Sequence, residues 1–230
     1  MKDHGILKGA NRQEQNWSRI KFGEPFKEAL DRFREEVQHR DDFDPTSLLQ
    51  FGLFMSKAVI NILEENEARF GLEGQKAVND ALIKTGYDMG RQIAENVEIP
   101  PDVSDVELMS FLVTIVNTQS WTSIEAPKID SADACSFKIL WCPLQDVYSA
   151  FDCRVQRYLV QGIINYFRDY FLNSEFQVEF KSTIPSGAEV CHFVIERKKP
   201  GESDKWEVYS KLLERKAIKR LKERRKNQKN

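Results

Sequence analysis

The sequence predicts an α+β fold. N-terminal helices lead into an antiparallel four-stranded sheet built from two hairpins that flank a long helix, and a basic helix closes the chain. Three observations predict it. Apolar residues recur at helical spacing through the first half. From Trp121 the period changes to two, the spacing of a half-buried strand. Helices and hairpins are also segregated rather than alternating, which favours an antiparallel sheet over parallel crossovers.

The elements follow in order. "PFKEALDRFREEV" sets Phe26, Leu30, Phe33 and Val37 on one helical face. "DPTSLLQFGLFMSKAVINILEENEARFG" opens with Asp44 as N-cap and Pro45 at the first helical position, and Gly71 stops it. A third helix, 73–97, carries Gly86 and Gly90 four apart on one face. Each glycine costs a helix about 1 kcal/mol relative to alanine, so a backbone or a ligand is expected to approach there. Helix packing is the commoner reason. "PPD" at 100–102 breaks the chain, and "SDVE" from Ser104 is a capping box that starts a fourth helix reaching about Gln119.

"WTSIEAPKI" and "ACSFKILWC" read as strands joined by the turn "DSAD", with Phe137, Ile139 and Trp141 on one face. After Pro143 and a short helical segment comes a long helix. Its stripe includes Phe151, Val155, Tyr158, Leu159, Gly162 and Tyr166, and it is expected to cover the sheet. "SEFQVEFKS", the turn "PSG" and "AEVCHFVIERK" form the second hairpin. The organisation is then a helical part over 1–120, an α+β part over 121–210 of the same domain, and a basic helical tail over 211–230 that frays into solvent. No linker separates two domains.

Bulk properties bound the function. No stretch approaches the roughly 18 consecutive apolar residues of a membrane span, and the first residues lack the apolar core of a secretory signal. A cytoplasmic location without a membrane partner is expected. The four cysteines then read as reduced thiols. The net charge of −2 hides a tail, 211–230, with ten Lys/Arg against two Glu. No aromatic residue interleaves with those charges, so nucleic acid is not the expected partner.

Phosphate loops, dinucleotide glycine patterns, a serine elbow, HExxH and CxxC are all absent from the sequence. Of the three histidines, His4 and His39 lie in polar surroundings. His192 follows Cys191 directly, but neighbours on a strand point to opposite faces, so the two cannot readily act as nucleophile and base. The remaining candidates are thiols. Cys142 ends a strand at "WCP". Cys153 lies near the start of the long helix, where the dipole is expected to lower its pKa. Cys191 shares the core phase of Phe193 and Ile195. Each could equally be a small buried hydrophobe. Zinc held by Cys142, Cys153 and Cys191 with an acid or histidine is conceivable, although the spacing matches no structural zinc module.

"WCPLQDVYSAFDCRVQRYLVQGIINYF" followed by "FQVEFKSTIPSGAEVCHFVIERK" resembles the L-2-amino-thiazoline-4-carboxylic acid hydrolase family. The matching pattern is Cys142-Pro143, Cys153, and Gly187 through Cys191 to Phe193, with Ala188 standing where the family commonly has aspartate. The resemblance implies ring-opening hydrolysis of a cyclic amidine-like C–N bond in a small molecule. It implies Cys142 and Cys153 as carriers, Cys191 as a third member or pocket wall, and Glu125 as a general base. It is similar, more distantly, to the four-vinyl-reductase domain, which implies a small-molecule-binding or sensor module, in some cases with structural zinc. A homodimer is compatible with either.

Overall fold

Among the residues described by the computed structural model, 26–97, 99 and 102–227, six helices and four strands follow the expected order. His4 and the rest of 1–25, Pro100, Pro101 and the last three residues of the tail lie outside them. Helix α1 spans Lys27–Arg32 and continues as a π-helical turn, Phe33–Val37. Helices α2 (Thr46–Phe70) and α3 (Leu72–Asn96) are separated by Gly71 alone, at φ 64°. That left-handed conformation suits glycine. Asp44 works one position earlier than an N-cap: Thr46 N–H donates to its Oδ1 at 2.9 Å, while Pro45 is the N-cap. Helix α4 (Asp105–Ile115) begins with the capping box, Ser104 N–H donating to Glu107 Oε2 at 3.0 Å, and runs into a π-helical turn, Val116–Ser120.

Strands β1 (Ile124–Ser131) and β2 (Ala134–Trp141) form the first hairpin. Helix α5 spans Arg154–Tyr170. The second hairpin is β3 (Phe176–Ser182) and β4 (Cys191–Arg197), and α6 covers Lys205–Asn227. The residues between β2 and α5 are turns, not the expected short helix. The sheet is antiparallel in the order β1-β2-β4-β3, so the hairpins meet through β2 and β4.

Register sets what the sheet buries. Phe137 lies opposite Phe193, Cys135 opposite Ile195, and Val178 opposite Ile195 from the other side. These side chains share one face, and the Phe137 and Phe193 rings stack at 5.2 Å. The face packs on Met109 and Leu112 from α4, Val116 from the π-helical turn after it, and Ile163 and Phe167 from α5, all buried. His192, opposite Lys138, belongs to the other face.

The second layer is α3 packed along α5. Gly86 and Gly90 are accounted for there. A Cβ on Gly86 would stand 2.0 Å from the Leu159 carbonyl oxygen, and one on Gly90 would stand 2.9 Å from Tyr166 Cβ. The backbone of α5 therefore fills the space that a ligand between α3 and the sheet would need. Gly162 is the reciprocal position, its added Cβ meeting the Ile83 carbonyl at 2.0 Å.

The basic C-terminal segment is helical to Asn227, and its first half is docked while 222–224, 226 and 227 are exposed. Trp206, Leu213 and Ala217 are buried, and Arg220 lies over the Phe151 ring. The side chain of Gln177, enclosed at the β3 edge, accepts from the Lys205 backbone N–H at 3.2 Å and fixes where α6 starts. Helix α2 departs from expectation. Phe51, Phe54, Met55 and Ile62 are exposed, and an 18-residue window of mean hydropathy 1.3 is long and apolar enough, by length and composition, to cross a membrane.

Candidate functional site

A cavity of about 110 Å³ lies between the inner face of the sheet and α5. Its floor is sheet: Ile139, Val178, Phe180, Cys191, Phe193 and Ile195. Its roof is one face of α5, where Cys153, Gln156, Arg157 and Val160 follow the i, i+3, i+4, i+7 spacing of a single stripe. One end is closed by Trp206 of α6 and another by Cys142, Leu144 and Tyr148 from the turns after β2.

Two irregular pieces of backbone shape the rim. The π-helical turn after α4 presents Asn117 to the cavity; such turns recur at functional sites. Thr122 then takes φ 53°, a left-handed conformation that a β-branched residue adopts at a cost. It sits between Trp121 and Ser123, both of which border the cavity.

The cavity brings together the three candidate thiols. Cys142 stands at the end of β2, where the Ser123 hydroxyl and the backbone N–H groups of Leu144 and Gln145 approach its sulfur. Cys153 is the N-cap of α5. Cys191 opens β4 and accepts from the Ile184 N–H at 3.2 Å, in the turn closed by Gly187 at φ 93°. No disulfide joins these cysteines. Glu125 stands behind this wall. It is 1% exposed on the inner sheet face, and Asn117, which borders the cavity, donates through Nδ2 to its Oε2 at 2.7 Å.

The expected lowering of the Cys153 pKa is reversed. Burial pushes that thiol up to about 12, and the neighbouring Cys191 and Cys142 sulfurs push in the same direction. A helix end favours a thiolate only where the charge remains solvated or is paired; here desolvation dominates. Burial also raises Cys142 and Cys191, against the hydrogen bonds that each sulfur receives. The thiols are therefore held neutral at physiological pH.

This has a consequence for stability. A folded pKa above the unfolded value means that the folded chain holds its proton longer. The contribution is complete below the ordinary thiol value of 9.0 and is lost as pH rises toward about 12. Chemical denaturation at pH 8 and pH 10.5 is expected to show lower stability at the higher pH, and a Cys153→Ala variant to lose part of that difference. Equal pH dependence in the two proteins would remove Cys153 as a contributor.

Zinc finds no support in the geometry. Among the described residues no group of three Cys, His, Asp or Glu is placed to hold a metal ion, and the thiols are spread around an apolar cavity.

Sequence reading missed Arg157, Gln156 and Trp206. The signal was present in α5: Arg154 and Arg157 occupy buried positions beside the apolar stripe, where a charge is out of place.

Comparison with known proteins agrees with the resemblance read from the sequence. Residues 52–195 match the family described as L-2-amino-thiazoline-4-carboxylic acid hydrolase. The chain belongs to this family. The thiazoline-carboxylate hydrolase match contains Cys142, Cys153 and Cys191, and ends on β4. An uncharacterized protein of Archaeoglobus fulgidus is 43% identical over 213 residues, covering 90% of this chain and 94% of its own. Among solved structures, a trafficking protein particle complex subunit 3 from Naegleria fowleri, covalently bound to palmitic acid, aligns with a TM-score of 0.46 at 12% identity. That alignment covers 64% of this chain and 95% of the other.

Proposed function

We propose that the protein is a hydrolase that opens a cyclic amidine-like ring in a small molecule, with Cys142 as nucleophile. The observation that carries this reading is the shared cavity. Three thiols border it, and Cys142 is the one whose sulfur receives a hydroxyl and two backbone donors. Those donors stabilise negative charge as it develops on sulfur, although burial keeps the resting thiol neutral.

The basic amidine-like nitrogen of the substrate can itself take the thiol proton, so that sulfur attacks the C=N carbon with thiolate character. The Cys142 sulfur bonds to the ring carbon while its proton passes to the ring nitrogen. A ring bond at that carbon then breaks, its electron pair leaving with the ring heteroatom, which takes the proton as C=N re-forms. Water adds to the sulfur-bound carbon and releases a carbamoyl-type product with the thiol restored, so one water is consumed. Cys153 and Cys191 wall the reacting carbon, and Glu125 orients the Asn117 amide at the rim.

Turnover of L-2-amino-thiazoline-4-carboxylate is the direct test. Cys142→Ala is expected to lower it by about a hundredfold or more, as loss of a nucleophile does. Unchanged turnover in Cys142→Ala would sink that assignment, and unchanged turnover in Cys142→Ala, Cys153→Ala and Cys191→Ala alike would sink the thiol mechanism. A second reading has its own observation: all three thiol pKa values are raised in an apolar cavity, which suits binding without chemistry. A small molecule that co-purifies in native mass spectrometry, with no turnover in the unaltered protein, would favour it.

A further inference from the structure

Arg157 is the group in this cavity that packing does not explain. Its residue is 8% exposed, and its Nε and Nη1 are enclosed without a hydrogen-bond partner among the described residues. No carboxylate lies within ion-pair distance of it among those residues. Its guanidinium rests over two rings, 4.6 Å from the Tyr158 centroid and 5.1 Å from that of Trp206. Such contacts offset part of the desolvation of a cation but satisfy none of its N–H groups. A buried guanidinium left in this state is destabilising unless something with acceptor oxygens completes it.

Two further donors border the same cavity in the same condition. Trp206 Nε1 is enclosed and unpartnered, and so is Gln156 Nε2, one residue before Arg157 on α5. All three residues line the cavity, and each brings an N–H without an acceptor. Burial lowers the Arg157 pKa only to about 10, against the pull of Glu214, Asp204 and Glu207, so the group stays cationic at neutral pH. A cation and two neutral donors beside an apolar floor match a small organic ligand that carries one carboxylate.

We infer that Arg157, with Trp206 Nε1 and Gln156 Nε2, forms a carboxylate-binding subsite, and that the thiols face the rest of the same ligand. The inference deepens the proposed hydrolase reading by assigning its substrate anchor, and it is tested without turnover.

The experiment uses full-length Cys142→Ala protein and two probes, 2-amino-thiazoline-4-carboxylate and the corresponding carboxamide, with binding followed by calorimetry. The carboxylate is expected to bind at least about tenfold more tightly than the carboxamide, the range of a charge-assisted hydrogen bond. Arg157→Met should abolish that preference while carboxamide binding persists. The same substitution should raise the melting temperature, because it removes a buried guanidinium whose Nε and Nη1 lack hydrogen-bond partners. Trp206→Phe keeps a ring but removes the N–H, and should reduce the preference severalfold. It stands in for Arg157→Met if that variant does not fold. A preference retained in the variant that folds, no preference with Arg157 in place, or no binding of either probe would each overturn the subsite. Failure of the hydrolase reading shows separately, as turnover unaffected by the cysteine substitutions.

Discussion

Replacing Gly162 by alanine is expected to destabilise the protein by about 3 kcal/mol, the upper end of what overpacking costs. The added methyl would stand 2.0 Å from the Ile83 carbonyl oxygen and 2.6 Å from the Tyr87 nitrogen. Both are backbone atoms of α3, so no side chain can rotate away. Relief requires α3 and α5 to separate, and that removes contact along the whole helix pair, because interiors are close-packed and yield little. Alanine's better helix propensity, worth about 1 kcal/mol, is outweighed. Gly52 is the control. It lies in the middle of α2 with nothing within 4 Å of an added Cβ. Gly52→Ala should therefore stabilise by up to about 1 kcal/mol, through propensity and a less flexible unfolded chain. Urea midpoints for both variants decide the matter. Similar shifts would mean that the helix pair accommodates the methyl.

The second large effect is at Glu67. Its Oε1 stands 2.7 Å from Arg154 Nη1, and both side chains are only 2% exposed. The Gln75 amide also donates to Glu67, and reaches the Glu214 carbonyl of α6 at 3.3 Å. The cluster thus joins α2, α3, α5 and α6. Removing one partner of a buried pair leaves the other charge without compensation, so Glu67→Ala is expected to cost about 3–5 kcal/mol. Glu67→Leu with Arg154→Met removes both charges and keeps most of the volume. It should recover most of that loss, because a well-packed apolar pair often matches a buried ion pair in stability. If the double variant were as unstable as Glu67→Ala, packing around the pair, and not its charge, would be the main contribution.

How much of this was legible depends on the kind of interaction. The hairpins were, because alternation in "SEFQVEFKS" and "ACSFKILWC" reports which side chains face the core. The separation of Cys191 from His192 followed from the same period of two, and register confirms it, with Cys191 opposite Ile139 and His192 opposite Lys138. Gly86 and Gly90 were legible as a close approach, since two glycines on one helix face need a reason. Their counterpart Gly162 was counted as part of an apolar stripe.

The misread features depend on three-dimensional surroundings. The Cys153 environment looked like a helix end, but desolvation and two neighbouring sulfurs decide its titration, and neither is local in sequence. Arg157 passed unnoticed because a single arginine on a long helix is ordinarily solvated. Only the arrival of Trp206 from α6 and the sheet from below encloses it. Helix α2 reads as an ordinary helix in a chain without a span-like stretch, whereas it holds an exposed 18-residue apolar window. Counting uninterrupted apolar runs overlooks a helix whose mean hydropathy is high, and periodicity cannot say which face receives a partner.

The strand order carries a lesson about assembly in time. Each hairpin closes locally, but the β2–β4 seam joins 134–139 to 191–196, with all of α5 and β3 between them. Such non-local pairing is slow, because chain must be ordered before the contacts repay it. The cavity floor draws Ile139 from one hairpin and Cys191, Phe193 and Ile195 from the other, so it does not exist until that seam has closed. A ligand held there recognises only the finished fold, and its presence shifts the folding equilibrium toward the native chain by mass action. The seam between the two hairpins is then also the one that occupancy guards.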